Sequence, residues 1–386
     1  MVPALRAGVF TLNAGPRLSI LHTESSIGWG GQEIRILTEA RGMLERGHQV
    51  MLLTPPNAEL LPAARKLGVP VEAISIARKR IGPLLELRKW LAANGRRYDV
   101  INTHSSTDSW LTAVACLTLA DMPPMVRTRH VSTAINNHWS TRWLYTKATA
   151  HIATTGEALR SQLHRDNGFA LETMTSVRTG IDLNRFQPLD KAAMRARLGI
   201  PENPTIGILA TLRDWKGHDD LLDALKLLRI KFPEWRLIII GDGPQRARLT
   251  SRVQKENLAE IVRFVGNVDN VPEWLSTLDI FTLPSFGDEG VPQGIMQAMA
   301  CGLPVVSTPV GAIAEAVQDG STGILVAPKN ATALAAALEQ LMADAALRQH
   351  MGQAGRAYAL ASFGIAVMLD RMTDVFVRAV KARKEH

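Results

Sequence analysis

Short apolar runs alternate with amphipathic stretches along the first half of the chain. Leu18-Ser19-Ile20-Leu21, Val50-Met51-Leu52-Leu53, Val69 to Ile76 and Tyr98 to His104 read as strands, followed by Met125-Val126-Arg127-Thr128 and His151-Ile152-Ala153-Thr154. Between the first two, Ile34, Leu37, Ala40, Met43 and Leu44 recur at helical spacing and stop at Gly47. Strands alternating with helices predict βα units and a parallel sheet. Open sheets of this kind bind ligands at the carboxyl ends of their strands, and His104 falls at such an end.

A second series begins after a polar stretch. Strands are expected over Thr205 to Ala210, Trp235 to Ile240, Ile261 to Val268 and Leu278 to Ser285, with Leu221, Leu222, Leu225 and Leu228 in helical phase between the first two. The segment from Pro284 to Thr308 reads as loop, helix and strand. Pro292 suits the first turn of the helix and Gly302 the position just past its end. A helix start behind a glycine-bearing loop is a natural anion site. Two acids, Asp288 and Glu289, stand just before it. A carboxylate beside an anion needs a polar ligand, such as sugar hydroxyls. Residues 187–204 read as an interdomain linker. Two helices, over 330–361 with a break and over 364–384, end the chain.

The chain has 386 residues, which suits two domains. No apolar run reaches the length of a membrane-spanning helix, and the N-terminal stretch is a poor signal peptide. Cys116 and Cys301 read as core residues and not as a disulfide or a metal pair. These features predict a cytoplasmic protein. The net charge of +8 is uneven: residues 1–180 hold 21 Lys and Arg against 13 Asp and Glu, and residues 181–386 hold 23 of each. A basic first half fits an anionic acceptor or membrane surface; nucleic acid is disfavoured because no binding motif accompanies it. Residues 78–97 form a basic amphipathic stretch around Leu84, Leu87, Trp90 and Leu91, open to both core packing and a membrane surface. The aromatic and basic residues over 127–147 are equally open to packing and to an acceptor site. Gly28, Gly30 and Gly31 lack dinucleotide spacing, since Glu33 stands where a third glycine belongs.

Glu289 and the run Ala298-Met299-Ala300-Cys301-Gly302-Leu303-Pro304-Val305-Val306 resemble the signature of retaining glycosyltransferases of family 4, which have the two-domain GT-B fold. That signature has a second Glu where this chain has Gln297. Gly30-Gly31-Gln32-Glu33 resembles the family's loop after the first strand, Thr103-His104-Ser105 its strand-four histidine, and Thr179 to Phe186 its domain junction. His130, after the fifth strand, competes with His104. Lys216-Gly217 resembles the donor-phosphate motif, with Arg213 near the place of its usual arginine. Gly241-Asp242-Gly243-Pro244 resembles a family turn of architectural role.

The resemblance covers nearly the whole chain. It implies an α/β protein with two Rossmann-like, doubly wound parallel-sheet domains facing across a cleft. Residues 1–180 would bind the acceptor, residues 181–363 the nucleotide-sugar, and the helix of 364–386 would cross back to the first domain. The reaction implied is retaining hexosyl transfer to a glycan or lipid-linked acceptor, as in bacterial lipopolysaccharide or other cell-surface polysaccharide synthesis. It would take place in the cytoplasm, with peripheral contact at the inner membrane. The resemblance places Lys216 and Arg213 on the diphosphate, with the backbone of Gly290 and Val291. Glu289 would meet the sugar hydroxyls, Gln297 the ribose, and Asn267 and Val268 the base. Gly30 and Gly31 would lie near the donor phosphates and acceptor, and His104 would face the donor sugar. No metal and no cofactor are expected, the donor being a substrate and a UDP-sugar before a GDP-sugar. Two other readings stay open: a nucleotide-sugar epimerase of the same fold, and a non-catalytic binding subunit.

Overall fold

The computed structural model describes residues 16–131, 133–287 and 289–384. The N-terminal stretch up to residue 15, read above as a poor leader, and Asp288 lie outside the described residues. The chain divides at Gly180/Ile181 and again at Gly364/Ile365 into two compact units.

Among the described residues, the first unit holds seven parallel strands in the order β3-β2-β1-β4-β5-β6-β7. They are β1 (Ser19–Thr23), β2 (Gln49–Thr54), β3 (Val71–Ala73), β4 (Val100–Thr103), β5 (Met125–Arg129), β6 (His151–Thr154) and β7 (Met174–Ser176). Alternation sends neighbouring side chains to opposite faces. Ile20, Leu52 and Val100 enter one buried cluster with Ile36, Leu37 and Met43 of the helix Gly31–Glu45. Leu21, Leu53 and Ile101 enter another with Leu87, Leu91 and Leu111. Both faces are therefore covered by helices, as an all-parallel sheet requires. The terminal helix Ile365–Lys384 belongs to this unit, burying Met368, Leu369, Met372, Val375 and Phe376 in the first cluster. Gly42 admits it: a Cβ there would lie 2.4 Å from Leu369 Cδ1.

The second unit holds six parallel strands in the order β10-β9-β8-β11-β12-β13. They are β8 (Thr205–Leu209), β9 (Arg236–Ile240), β10 (Val262–Gly266), β11 (Ile280–Leu283), β12 (Val305–Ser307) and β13 (Gly323–Leu325). The two sheets are the doubly wound pair expected.

Several expectations need correction. The stretch Val69 to Ile76 yields only the three-residue β3 at the sheet edge. The expected linker contains a helix, Lys191–Leu198. Asp190 caps its start by accepting from the Ala193 N–H at 2.7 Å, and Gly199 ends it in the left-handed region, φ +61°. Arg195 then ties this helix to the second unit through the Thr277 carbonyl and Asp279. Pro292 stands just before the helix Gln293–Ala300 in an extended conformation, not inside its first turn. Gly302 follows the helix at φ +80°, as the sequence pattern predicts.

Candidate active site

In each unit the strand order reverses once, between β1 and β4 and between β8 and β11. At such a switch point the loops leaving adjacent strands turn to opposite faces and open a crevice beyond the strand ends. Gly30, Gly31 and His104 follow β1 and β4, and Arg213, Lys216, Glu289, Gly290, Val291 and Gln297 follow β8 and β11, whereas Asn267 and Val268 follow the edge strand β10.

In the first unit, His22 is the penultimate residue of β1 and His104 follows β4. Three imidazoles stand in a row: His22 Nδ1 lies 2.9 Å from His104 Nε2, and His104 Nδ1 lies 3.0 Å from His130 Nε2. Both ring nitrogens of His104 are thus engaged inside the unit, and its side chain is buried. His130 is half-buried and forms the outer end. Burial drives all three rings toward the neutral form. It takes His22 down to about 3 and holds His104 and His130 well below the ordinary value, with Arg35 adding to the effect on both.

Beneath this row, Asp108 accepts from the His104 and Ser105 N–H groups, each at 2.9 Å, and from Thr23 Oγ1 at 2.9 Å. It thereby closes a capping box on the helix Ser106–Leu117. Glu24 accepts from Gln32 Nε2, Ser105 Oγ and the Ser26 N–H at 2.5, 2.5 and 2.6 Å. Burial, reinforced by Asp108, lifts its carboxyl to about 8. Sequence reading missed Glu24 and His22. The signal available was a polar cluster, His22-Thr23-Glu24-Ser25-Ser26, directly after an apolar strand.

Gly30 precedes the helix Gly31–Glu45 in extended backbone, and a Cβ on Gly31 would meet nothing within 4 Å. Neither glycine is needed for packing or for a left-handed backbone. Open space before a helix start is what a close-approaching ligand requires. In the 127–147 segment, packing accounts for Tyr145: Arg127 lies over its ring at 4.7 Å and Arg129 Nη1 donates to its hydroxyl at 3.0 Å. Trp139 remains exposed.

In the second unit, Lys216 Nζ lies 2.6 Å from Glu289 Oε1, and Ser285 Oγ donates to the same oxygen at 2.9 Å. The acid next to the anion site therefore has a neutralising partner. Two glycines make the meeting possible. Gly217, φ +75°, is so close to β11 that a Cβ would lie 2.0 Å from the Pro284 carbonyl oxygen. Gly311, φ +57°, would meet the Glu289 carbonyl oxygen at 2.0 Å, and the Ala312 N–H donates to that oxygen at 2.8 Å. Gly294 brings the helix Gln293–Ala300 against β8, 2.8 Å from the Leu209 oxygen to the place of its Cβ.

Arg213 is exposed, its guanidinium 5.2 Å from the Trp215 ring, and is not joined to the Lys216–Glu289 pair. Gly290 is exposed and Val291 buried at the loop's end. Gln297 is half-buried one turn into the helix, with no side-chain hydrogen bond among the described residues. Asn267 and Val268 follow β10 beyond Gly266, which accepts from the Gly241 N–H at 2.8 Å. Gly241 packs on Ala210, consistent with an architectural turn.

Residues 29–185 match the family described as Glycosyltransferase Family 4, and residues 190–358 match Glycosyl transferases group 1. The chain is 30% identical over 305 residues to the lipopolysaccharide core biosynthesis mannosyltransferase LpsB of Rhizobium meliloti, covering 76% of this chain and 84% of the relative. The chain is a family 4 glycosyltransferase. This glycosyltransferase is also 31% identical over 350 residues to the phosphatidyl-myo-inositol mannosyltransferase of Mycobacterium tuberculosis, covering 85% and 88% of the two chains. Among solved structures, Anabaena HepE in complex with UDP shares the fold, with TM-score 0.83, 21% identity, and 93% and 100% of the chains covered. A Rickettsia africae glycosyltransferase does so at TM-score 0.84 and 18% identity, covering 95% and 99%. The enzyme is thus a GT-B hexosyltransferase of the retaining type. Among its described residues no helix is long and apolar enough to cross a membrane.

Proposed function

We propose that the enzyme transfers a hexosyl group from a nucleoside diphosphate sugar to a glycan or lipid-linked acceptor in lipopolysaccharide or other cell-surface polysaccharide synthesis. The second unit takes the donor and the first the acceptor. The observation that carries this reading is the Lys216–Glu289 pair at the β8/β11 switch point.

Its geometry suits both halves of a sugar diphosphate. Lys216 has three N–H donors; one is engaged by Glu289, leaving two for phosphate oxygens. Negative charge grows on the leaving diphosphate as the glycosidic bond breaks, so a cation fixed there stabilises the transition state more than the ground state. Among the described residues both side-chain bonds to Glu289 fall on Oε1, which leaves Oε2 to accept from a sugar hydroxyl and orient the anomeric carbon. Arg213 would swing from Trp215 to the diphosphate, joined by the N–H groups of Gly290 and Val291. Gln297 would meet the ribose and the backbone at Asn267 and Val268 the base. The open face of Gly30 and Gly31 would receive the acceptor. His104 acts through the ring outside it: with both its nitrogens engaged, His130 is the histidine that touches the ligand. Transfer on one sugar face needs no protein nucleophile.

A UDP-sugar is the donor we place first. A GDP-sugar is the second reading, and mannose is the sugar that the mannosyltransferase relatives favour. The proposed setting is the cytoplasmic face of the inner membrane. The helix Ile81–Asn94 supports it, exposing Ile81 and Leu85 beside Arg78, Arg80 and Lys89 while Leu87 and Leu91 enter the core.

The test is a thermal-shift screen against UDP, GDP, ADP, CMP and their sugar conjugates. A ligand at about 100 times its Kd adds about 2.7 kcal/mol. One nucleotide should shift the transition; a flat screen sinks the donor assignment. Release of nucleoside diphosphate only with acceptor present separates transfer from epimerisation.

A further inference from the structure

The row of imidazoles has a direction, and the inner ring decides it. A neutral imidazole carries one N–H and one lone pair. His104 is bonded at both nitrogens, so it donates to one neighbour and accepts from the other. The whole row must then run one way. The His22 and His104 ring planes differ by only 14° with centroids 5.2 Å apart and nitrogens 2.9 Å apart, so that bond runs edge to edge. Arg35 and Arg127 face the outer end and oppose its conversion to a cation.

Two directions are available. If His130 donates inward, every ring carries its proton on Nε2, and the last proton sits on His22 Nε2. That atom is buried and has no hydrogen-bond partner among the described residues. If His22 donates outward, every ring carries its proton on Nδ1, and His22 Nε2 is a bare lone pair. A buried N–H without an acceptor is the rarer defect; an under-used acceptor is tolerated more often.

We infer that the row runs outward from His22 through His104 to His130, so that His130 offers Nδ1–H to an oxygen of the bound ligand. His22 is a positioning residue: it touches no ligand and sets the tautomer of a ring two places away. The outer ring is therefore a donor to an electron-rich oxygen, a hydroxyl or a phosphate, and not a base. The last step rests on His130 being the ligand-facing ring; the direction of the row does not.

The test is a long-range ¹H–¹⁵N correlation spectrum of the full chain, labelled at its histidine rings, at pH 7 without ligand. Nδ1–H is expected at His22, His104 and His130. Nε2–H at all three, or an imidazolium among them, overturns the inference. His22→Asp, when ionised, offers only acceptor oxygens to His104 Nε2; it should draw a proton onto that nitrogen and turn the row inward, giving Nε2–H at His104 and His130. It should also lower kcat/KM for transfer about tenfold, as for one lost hydrogen bond to a ligand. His22→Asn keeps an N–H in the δ position and should hold the tautomers, with kcat/KM within about threefold. Outward tautomers in His22→Asp, or normal transfer with reversed ones, overturn the positioning role. The wild-type spectrum decides the direction even if a variant fails to fold. It also stands if the enzyme proves to use a different donor.

Discussion

Gly217 and Pro284 touch backbone to backbone: a Cβ on the glycine would lie 2.0 Å from the proline's carbonyl oxygen. This contact seats the loop carrying Lys216 against the end of β11, where Glu289 begins its approach. Gly217→Ala combines a backbone clash with a φ of +75°, and should destabilise the second unit by about 2–4 kcal/mol. Gly31→Ala has open space and should leave the melting temperature unchanged while weakening ligand binding. Urea unfolding of both variants checks the contrast; equal stability losses would contradict it.

Glu289→Ala should keep the fold and lose kcat by about 10²-fold or more, because the sugar then loses its orienting acceptor. It also leaves Lys216 without its partner. Circular dichroism with steady-state kinetics checks it, and near-normal turnover would remove Glu289 from the site.

Gln297→Ala should raise donor KM several-fold, the range of one hydrogen bond of about 1 kcal/mol. An amide offers one acceptor oxygen where a carboxylate offers two. An unchanged donor KM would remove Gln297 from the ribose.

Buried titratable groups in the first unit give stability two opposing pH limbs. Glu24 is raised to about 8 and Glu39 to about 7. Between the unfolded carboxylate value and these, the folded state holds more protons, so stability falls as pH rises through that window. His22 is lowered from 6.5 to about 3. Between those values the unfolded chain holds more protons, so stability falls as pH drops through them. Glu24→Gln should make the fall toward high pH shallower, with Glu39 keeping the rest, and steepen the acid limb where the two windows overlap; an unchanged profile in unfolding at stepped pH would contradict it.

Phe376 is fully buried in the terminal helix, with its ring 6.4 Å from that of His22. Phe376→Ala should cost the first unit about 3–5 kcal/mol. A loss below about 1 kcal/mol would mean the helix contributes little to that core.

Much of the fold is legible in the order of residues. The alternation of Ile20 and Leu21, or Val100 and Ile101, announces strands buried on both faces, and Gly302 marks a helix end. Glu289, Lys216 and Gly217 stand out because their motifs are long. Of the four three-residue strands among the described residues, β12 is legible through its motif, whereas β3, β7 and β13 are not legible at their true lengths, since so few residues cannot show a period. The helix Lys191–Leu198 hides in a stretch that looks polar, because its buried residue is an arginine, Arg195, held by Asp279 and a carbonyl.

The order of apolar and polar residues by itself determined the two βα series, because periodicity is a local property of the chain. Which side chains meet is not local. That Lys216 pairs with Glu289, 73 positions away, and that His104 has no free nitrogen while His130 stands outermost, follow from strand order and from glycines that let backbones touch. Only the tertiary structure decides those contacts, since close approach depends on the whole sheet being wound in one order.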